Sequence, residues 1–171
     1  FRPANYDDID ALVELVESAY RGDSSRVGWT TEADLLDGQR IDRDGMRAAI
    51  DKDGAIILLA ERDGELLGCA NVERQGQSAY FGMFAVRPGI QGGGIGDAIL
   101  RECEEIASLW GCNTMRMTVI WTRQELIAYY QRRGYMNTGE QQPFPYGNER
   151  FGLPKRQDLF FWVYAKALNK A

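Results

Sequence analysis

The chain has 171 residues, a net charge of −5 at neutral pH and a hydrophobic fraction of 44%. A chain of this length can bury enough surface to form one core, so we predict a single domain over residues 1–171. The acidic balance speaks against a nucleic-acid-binding surface. The absence of histidine excludes Ser-His-Asp and Cys-His catalysis and removes the commonest metal ligand.

Targeting signals are not evident in the sequence. The longest uncharged apolar run, Gly54 to Ala60, is far shorter than the ~20 residues of a membrane helix, and no signal-peptide pattern opens the chain. The three cysteines, Cys69, Cys103 and Cys112, lie within apolar patterns, which favours buried, reduced thiols. We therefore expect a cytoplasmic protein with no metal and with neither a membrane nor a nucleic acid as its partner.

The first half of the chain reads as one helix followed by a meander of strands. Apolar residues recur at helical spacing from Asp7 to Tyr20. The polar, glycine-containing segment 21–53 predicts short helices near Thr31–Leu36 and Gly45–Ile50. An Asp-Gly dipeptide at 63–64 is typical of a hairpin turn. Three apolar segments are expected to form antiparallel strands: Ala55–Glu61, Leu66–Glu73 and Ala79–Val86.

The second half alternates helices and strands. Helical spacing continues from Ile95 to Trp110, and Gly111 is placed to end that helix. The remaining predicted elements are a strand at Thr114–Ile120, a helix at Gln124–Arg133, a short strand through Gly139 and a last strand at Leu159–Ala165. This order predicts a mixed α/β (α+β) fold with a central, mostly antiparallel sheet flanked by helices. An exposed edge at the last strand would allow a homodimer.

A cluster of glycines lies between the third apolar strand and the helix that follows it, at positions 89, 92, 93, 94 and 96. The cluster matches neither the P-loop pattern nor the dinucleotide fingerprint, since no Lys-Ser or Lys-Thr follows and the G-x-G-x-x-G spacing fails. A strand that turns into a helix here would present unpaired backbone N–H groups and a positive dipole end. Such a turn can bind a pyrophosphate.

Two motifs point to a known family. The run from Val86-Arg87-Pro88 through Gln91-Gly92-Gly93-Gly94-Ile95-Gly96 resembles the Q/R-x-x-G-x-G/A signature of the GNAT superfamily of N-acetyltransferases. The segment Tyr130-Gln131-Arg132-Arg133-Gly134-Tyr135 is similar to the family's Tyr-x-x-x-Gly-Phe segment. The order of elements also agrees from Asp7 to about Ala167. The resemblance implies a GNAT-like acyl-CoA N-acyltransferase fold, with acetyl-CoA as cosubstrate and no metal.

The resemblance also implies which residues bind the coenzyme. Backbone groups of the strand that contains Phe84, Ala85 and Val86 would pair with the pantetheine arm, and an N–H near Phe84 or Ala85 would polarise the thioester carbonyl. The amides of the turn would hold the pyrophosphate, and the residues concerned are Gln91, Gly92, Gly93, Gly94, Ile95 and Gly96.

Tyr130 is the candidate general acid. A thiolate with a free pKa of about 8.5 leaves during transfer, and a nearby phenol with a pKa of about 10 can donate a proton to it. Tyr130 occupies the family's tyrosine position four residues before Gly134. Its neighbour Tyr129 is the alternative if the helix register is shifted.

The base that deprotonates the amine is open. Tyr80 stands where many family members have a glutamate, so Glu73 on the adjacent strand, a water chain or an acceptor delivered neutral are the alternatives. Arg123 stands where family members often have an asparagine that contacts the coenzyme. Arg123 could reach a phosphate or an anionic acceptor, or simply lie in solvent at the start of a helix, and the sequence assigns it no role.

Acceptor recognition is expected in two polar segments, 21–53 and 141–154. The first offers Trp29, Glu32 and Asp34, and the second offers Phe144 and Tyr146, which together suit a cationic amine. The predicted function is direct acetyl transfer to a primary amine of a small or amino-acid-like molecule. The alternatives are a protein N-terminal or lysine acetyltransferase and a non-catalytic acyl-CoA sensor.

Overall fold

The computed structural model describes residues 1–20, 36–37, 41–90, 93–145, 153–155 and 157–168. The helices are a short 3-10 turn at Tyr6–Asp8, then α1 (Ile9–Tyr20), α2 (Arg43–Asp51), α3 (Ile95–Leu109) and α4 (Gln124–Arg132). The strands are β1 (Arg2–Pro3), β2 (Leu36–Asp37), β3 (Ala55–Arg62), β4 (Glu65–Gln75), β5 (Ser78–Val86), β6 (Thr114–Ile120), β7 (Met136–Pro143), β8 (Leu153–Pro154) and β9 (Phe160–Ala167).

A seven-stranded sheet with the order β1-β3-β4-β5-β6-β9-β7 forms the centre of the fold, and β2 pairs separately with β8. The mixed α/β class with a mostly antiparallel sheet is confirmed, because β5 and β6 form the one parallel pair of that sheet among the described strands. The predicted strands and helices agree with these elements to within a few residues. The helix expected near Thr31–Leu36 lies outside the described residues, except that Leu36 begins β2.

Apolar residues cover both faces of the sheet. One face packs against α1 and α2 through a cluster that includes Leu12, Leu15, Met46, Leu59 and Cys69. The other face packs against α3 and α4 in a larger cluster. Each helix turns its apolar stripe to the sheet, as its sequence periodicity predicts. The sheet is therefore covered on both faces near β4 and β5, where the helices meet it.

The meander of β3, β4 and β5 follows from its turn residues. Asp63 and Gly64 both have positive φ angles, 53° and 79°, as a two-residue type I′ hairpin requires. Gly76 has a φ of 66° in the next turn. The predicted antiparallel hairpins are thus confirmed, with β3 pairing β4 and β4 pairing β5.

Gly68 in β4 allows α3 to lie close to the sheet. A Cβ at this position would lie 2.7 Å from Cδ1 of Ile99 on α3 and 2.9 Å from the carbonyl oxygen of Ala85 on β5. A real Cβ atom essentially never lies this close to another heavy atom. A larger residue at this position would therefore push the helix or the strand away. Gly68 thereby fixes the position of α3 over β4.

The last strand corrects one expectation. β9 lies between β6 and β7 and pairs antiparallel with both, so it has no exposed edge for a second chain. The argument that placed a homodimer contact at Leu159–Ala165 is therefore wrong, because both backbone sides of this strand are already paired within the chain. The strand predicted through Gly139 extends to Pro143, with an irregular register between Asn137 and Gln141.

Candidate active site

The parallel strands β5 and β6 separate part of the way along their length. Their register contains Ser78 with Thr114, Ala79 with Met115 and Tyr80 with Arg116, and the two strands do not pair with each other beyond that point. A cavity of about 320 Å³ lies where they diverge, and we call it the strand cavity. The walls come mainly from β5, β6, α4 with the residue before it, and the segment 142–145, and Tyr20 of α1 and Phe161 of β9 complete them. A gap between two strands is a site where an extended ligand can lie against backbone groups.

A bulge in β5 lies beside this cavity. Cys69 pairs with Ala85 and Asn71 pairs with Gly82, so Met83 and Phe84 together face the single residue Ala70. Met83 has a φ of 48°, a left-handed conformation that is uncommon for a residue with a side chain. Bulges of this kind occur next to active sites, where they redirect backbone groups. The Phe84 carbonyl accepts a hydrogen bond from the Tyr20 hydroxyl at the end of α1.

Tyr130 lines the strand cavity from α4. Its side chain is only 4% exposed, and its ring packs against Phe81, Phe84 and Tyr135 at centroid distances of 5.9–6.5 Å. Its hydroxyl makes no hydrogen bond with any described residue. Burial holds the pKa of Tyr130 well above its usual value, so the phenol keeps its proton at neutral pH. The structure therefore brings a protonated donor to the cavity.

Tyr129, the alternative donor, belongs to a different cavity. This second cavity, which we call the helix cavity, has a volume of about 520 Å³ and lies between the start of α3 and α4. The Tyr129 hydroxyl donates a hydrogen bond of 2.6 Å to the carboxylate of Asp97 on α3. The Arg133 Nε–H donates a hydrogen bond of 2.7 Å to the same carboxylate oxygen. The Arg133 guanidinium carbon lies 3.5 Å from the centre of the Tyr129 ring.

The contacts with Tyr129 and Arg133 keep the Asp97 carboxyl ionised. The hydrogen bond from Tyr129, and then that from Arg133, lower the pKa of the Asp97 carboxyl. Burial, and then the hydrogen bond to Asp97, raise the pKa of Tyr129. Tyr129 therefore remains a protonated phenol whose proton is committed to a carboxylate, which makes it a poor donor to a ligand.

The start of α3 fits the pyrophosphate group that the sequence motif predicts. Gly94 is the N-cap residue with a φ of 87°, and as a glycine it offers no side-chain cap to the N–H groups of the first turn. A Cβ at Gly94 would meet no atom within 4 Å, so the space above the turn is open. Gly93, Ile95 and Gly96 lie in the same turn, and Gly94 and Gly96 also line the helix cavity. Gln91 and Gly92 lie outside the described residues.

Gly96 has a second, structural reason to be glycine. A Cβ there would lie 3.1 Å from Cζ of Phe84 and 3.2 Å from the Tyr129 hydroxyl oxygen. The residue thus lets α3, β5 and α4 meet closely, between Phe84 of the strand cavity and Tyr129 of the helix cavity. Part of the glycine motif therefore serves packing.

Glu73 is not brought to the strand cavity. It faces Tyr80 across the β4–β5 ladder, but its carboxylate forms an ion pair of 2.7 Å with Lys52, and it is absent from the cavity wall. Tyr80 does line the wall, and its hydroxyl lies 2.7 Å from the Thr118 hydroxyl oxygen on β6. Among the described residues that form this wall there is no carboxylate.

Arg123 is the wall residue whose position the sequence left open. It precedes α4, lines the strand cavity and lies with its guanidinium carbon 5.7 Å from the centre of the Tyr20 ring. Its positive charge opposes the rise in the pKa of Tyr130 that burial causes. Arg123 is half-buried in the cavity wall, so it is not a fully exposed residue at the start of the helix.

The predicted acceptor residues are only partly described. Phe144 is buried, lines the strand cavity and stacks on Phe161 of β9 with centroids 5.7 Å apart. Trp29, Glu32, Asp34 and Tyr146 lie outside the described residues. Pro143 and Pro145 flank Phe144 in the cavity wall, so the segment after β7 forms a stiff apolar side of the cavity.

The described ranges contain no group of three or more His, Cys, Asp or Glu side chains that could hold a metal ion. In the same ranges, none of the helices combines the length and apolar character that crossing a membrane demands. Cys69, Cys103 and Cys112 are buried and form no disulfide with one another, as the sequence predicts. Burial raises the pKa of the Cys103 thiol, which suppresses its nucleophilic form.

Comparison with known proteins agrees with this geometry. The model of the acetyltransferase (GNAT) family matches residues 9–135. An IAA acetyltransferase of Azospirillum brasilense is 28% identical over 150 residues, which cover 84% of this chain and 88% of that protein.

Solved structures share the fold across nearly the whole chain. The ribosomal-protein-S18-alanine N-acetyltransferase of Escherichia coli has a TM-score of 0.72 at 14% identity, covering 99% of this chain and 94% of its own. The ribosomal-protein-alanine N-acetyltransferase of Brucella melitensis has a TM-score of 0.71 at 22% identity, with 98% of each chain covered. The fold, the divergent strand pair and the family match over most of the chain lead to one conclusion: this chain belongs to the acetyltransferase (GNAT) family.

Proposed function

We propose that the protein transfers the acetyl group of acetyl-CoA to a primary amine of a small, amino-acid-like acceptor by direct transfer. The observation that carries this proposal is the strand cavity, whose wall contains both the bulged segment of β5 and Tyr130, a protonated phenol with no hydrogen bond to a described residue. A single cavity with a proton donor and redirected backbone groups has the components that acyl transfer needs.

Residues of the two cavities would bind different parts of the coenzyme. The first turn of α3, with Gly93, Gly94, Ile95 and Gly96, would hold the pyrophosphate, and β5 from Phe84 to Val86 would align the pantetheine arm. Acetyl-CoA supplies the activated acetyl thioester when it is bound. The family relationship supports this cosubstrate.

Tyr130 would give the departing sulfur a proton, since its phenol is held protonated by burial. A backbone N–H of the bulge at Met83 and Phe84 would stabilise the negative charge that develops on the carbonyl oxygen. We propose no covalent enzyme intermediate, because the described wall of the strand cavity contains no cysteine, serine or lysine.

The amine must lose a proton before or during attack. The described wall offers the paired hydroxyls of Tyr80 and Thr118, and it offers no carboxylate. We propose that water bound at this hydroxyl pair relays the proton through a water chain to bulk solvent, in preference to Glu73, whose carboxylate is paired with Lys52. We prefer the hydroxyl pair to Glu73 because Tyr80 and Thr118 line the cavity and Glu73 does not.

The size of the strand cavity supports a small acceptor. About 320 Å³ is at the lower end of the range for small-molecule sites, and the reacting end of the coenzyme must share this space. Two of the structural relatives are N-acetyltransferases of ribosomal-protein alanine, but at 14% and 22% identity their likeness concerns the fold. A protein acceptor is therefore the second candidate. The buried cysteines, which form no disulfide with one another, fit the reducing cytoplasm that we propose as the location.

The proposal is tested by incubating the protein with acetyl-CoA and a panel of primary amines, amino acids and short peptides. Coenzyme release is followed with a thiol reagent, and the acetylated product is identified by mass spectrometry. We expect turnover with small amines that exceeds turnover with peptides. Tight acetyl-CoA binding without transfer to any acceptor would instead indicate the non-catalytic sensor, and preference for peptides would indicate a protein acetyltransferase.

A further inference from the structure

The gap between β5 and β6 is closed by side chains at one end. The parallel pairing of the two strands stops at Tyr80 and Arg116, and Tyr80 lines the strand cavity at that point. The Tyr80 hydroxyl lies 2.7 Å from the Thr118 hydroxyl oxygen on β6, within hydrogen-bond distance. A side-chain contact therefore joins the strands where their backbone pairing stops.

The Tyr80 ring lies against the backbone of Gly82. A Cβ at Gly82 would lie 3.0 Å from Cε1 of the ring, and Cδ1 and Cζ of the ring would also be within 4 Å. The missing side chain at Gly82 thus leaves the space that the ring occupies. Because Gly82 contacts the ring and Thr118 contacts the hydroxyl, the Tyr80 side chain has a defined position across the end of the cavity.

The proposed course of the coenzyme leads its acyl group toward Tyr80. The pyrophosphate would lie at the first turn of α3, which follows β5 in the chain, and the pantetheine arm would run along β5 from Val86 to Phe84. The thioester would then lie at the bulge, and the acyl chain would continue toward Gly82. Consecutive strand residues are about 3.3 Å apart, so little length separates the bulge from the residue that the Tyr80 ring covers.

From this arrangement we infer that the Tyr80 ring closes the acyl end of the strand cavity and restricts the donor to a short acyl group. Phe81 and Met117, which line the cavity beside it, are each only 1% exposed, so close packing opposes their displacement by a longer chain. The acceptor amine must enter the same cavity, which further limits the room. The inference rests on the proposed function, because it places the thioester at the bulge.

Binding of a series of acyl-CoA thioesters tests the inference without turnover. Acetyl-, propionyl-, butyryl- and hexanoyl-CoA are compared by calorimetry. Since a difference of one methylene in a fitted pocket changes recognition by about tenfold or more, the wild type should bind butyryl- and hexanoyl-CoA at least tenfold more weakly than acetyl-CoA. In Tyr80→Ala, which opens the end of the cavity, that difference should fall to within about threefold.

Two further variants separate the ring from its hydroxyl. Tyr80→Phe retains the ring and should keep the preference for acetyl-CoA to within about threefold. Gly82→Ala adds a methyl group against the ring and should weaken the binding of propionyl-CoA more than that of acetyl-CoA. Because Gly82→Ala removes no side chain, it tests the inference even if Tyr80→Ala does not fold, and equal weakening of both thioesters would contradict it.

Phe160→Ala is the matched control, because Phe160 is also a half-buried aromatic residue of the central sheet but does not line the cavity. It should leave the preference unchanged. The inference is overturned if the wild type binds hexanoyl-CoA as tightly as acetyl-CoA, or if the preference survives in Tyr80→Ala. A loss of preference in Tyr80→Phe as complete as that in Tyr80→Ala would show that the ring is no barrier, and would overturn it too.

Kinetics separate this inference from the proposed function. With an amine that is acetylated, Tyr80→Ala should raise kcat/KM for butyryl-CoA at least tenfold relative to that for acetyl-CoA. Equal kcat/KM for all four donors in the wild type would refute the role of Tyr80 and leave the proposed function standing. Selective binding of short acyl thioesters without transfer to any amine would refute the proposed function and leave the role of Tyr80 standing.

Discussion

Tyr129 and Tyr130, adjacent on α4, line two different cavities, with their rings at an interplanar angle of 77°. The Tyr129 hydroxyl is committed to Asp97, whereas the Tyr130 hydroxyl makes no hydrogen bond with a described residue. The two phenols therefore have separable roles. Tyr130 lines the cavity in which we propose that it donates a proton, and Tyr129 ties α4 to the start of α3.

Tyr130→Phe should reduce kcat by about 100-fold, because general acid catalysis typically contributes 10²- to 10⁴-fold. The KM for acetyl-CoA should change little, since the ring that packs against Phe81 and Phe84 is retained. Tyr129→Phe is the matched comparison and should act mainly on the KM for acetyl-CoA. Steady-state kinetics of both variants test which tyrosine donates the proton. A larger loss of kcat in Tyr129→Phe than in Tyr130→Phe would indicate Tyr129 as the donor.

The pH profile of the wild type provides a second test of Tyr130. Because burial holds the pKa of Tyr130 well above its usual value of 10.0, the phenol should stay protonated across the alkaline range. We expect no loss of kcat from its ionisation below about pH 10. A descending limb that appears near pH 8–9 and vanishes in Tyr130→Phe would contradict this environment.

Glu73→Gln should retain kcat to within about twofold. Glu73 is paired with Lys52, whose side chain is 58% exposed, and such a pair contributes at most about 1 kcal/mol to the free energy of unfolding. Lys52→Gln is the matched control and should have the same small effect. A tenfold or larger loss of kcat in Glu73→Gln alone, with the acidic limb of the pH profile altered, would reinstate Glu73 as the base.

Asp97→Asn should reduce the free energy of unfolding at pH 7 by less than about 1 kcal/mol, because the Asp97 side chain is 42% exposed and its ion pair is screened by solvent. The pKa of Asp97 in the folded protein is lowered below 3.8 by Tyr129 and Arg133. The contribution is therefore complete above the unfolded pKa and is lost as the pH falls through the lower folded pKa.

Urea unfolding of wild type and Asp97→Asn between pH 7 and pH 3 measures this effect. The difference between them should be constant down to about pH 4 and should shrink below that. A difference that grows on acidification would mean that the carboxyl is better accommodated in its protonated form.

Gly68→Ala should lower the free energy of unfolding by about 1–3 kcal/mol, since the new methyl group would overlap Ile99 and the Ala85 carbonyl. Adding Ile99→Val removes the Cδ1 atom of Ile99 and should recover part of the loss. Ile99→Val alone is the control. Full stability in Gly68→Ala, measured by urea or thermal unfolding, would show that α3 can move away from β4 at little cost.

The three cysteines should react slowly with a thiol reagent in the native protein and completely after denaturation, because all three are buried and form no disulfide with one another. Brief treatment with iodoacetamide should leave acetyl transfer unchanged. Fast modification of one thiol together with loss of activity would point to a reactive cysteine and to a covalent route.

Much of the fold could be predicted because its signals are local. The Asp63-Gly64 turn requires positive φ angles that these residues tolerate, and the period of the apolar residues distinguishes α3 from β6. The place of β9 between β6 and β7 was missed, because strand order depends on long-range pairing that no turn residue encodes.

The candidate site could be predicted where a residue's neighbours in sequence determine its role. The spacing of Tyr130 to Gly134 identified the tyrosine that lines the strand cavity. The ion pair of Glu73 with Lys52 and the exposure of Arg123 to the cavity could not be deduced, because both depend on contacts between separate elements.

The pairing of β9 also has a consequence for biosynthesis. Until residues 160–167 have left the ribosome, β7 has no partner strand among the described elements, and β6 is held in the sheet by the three-residue parallel register with β5 alone. Phe161, which lines the strand cavity, arrives with the same strand. The cavity wall is thus incomplete until β9 has been translated, and a nascent chain that stalls before it carries no finished site.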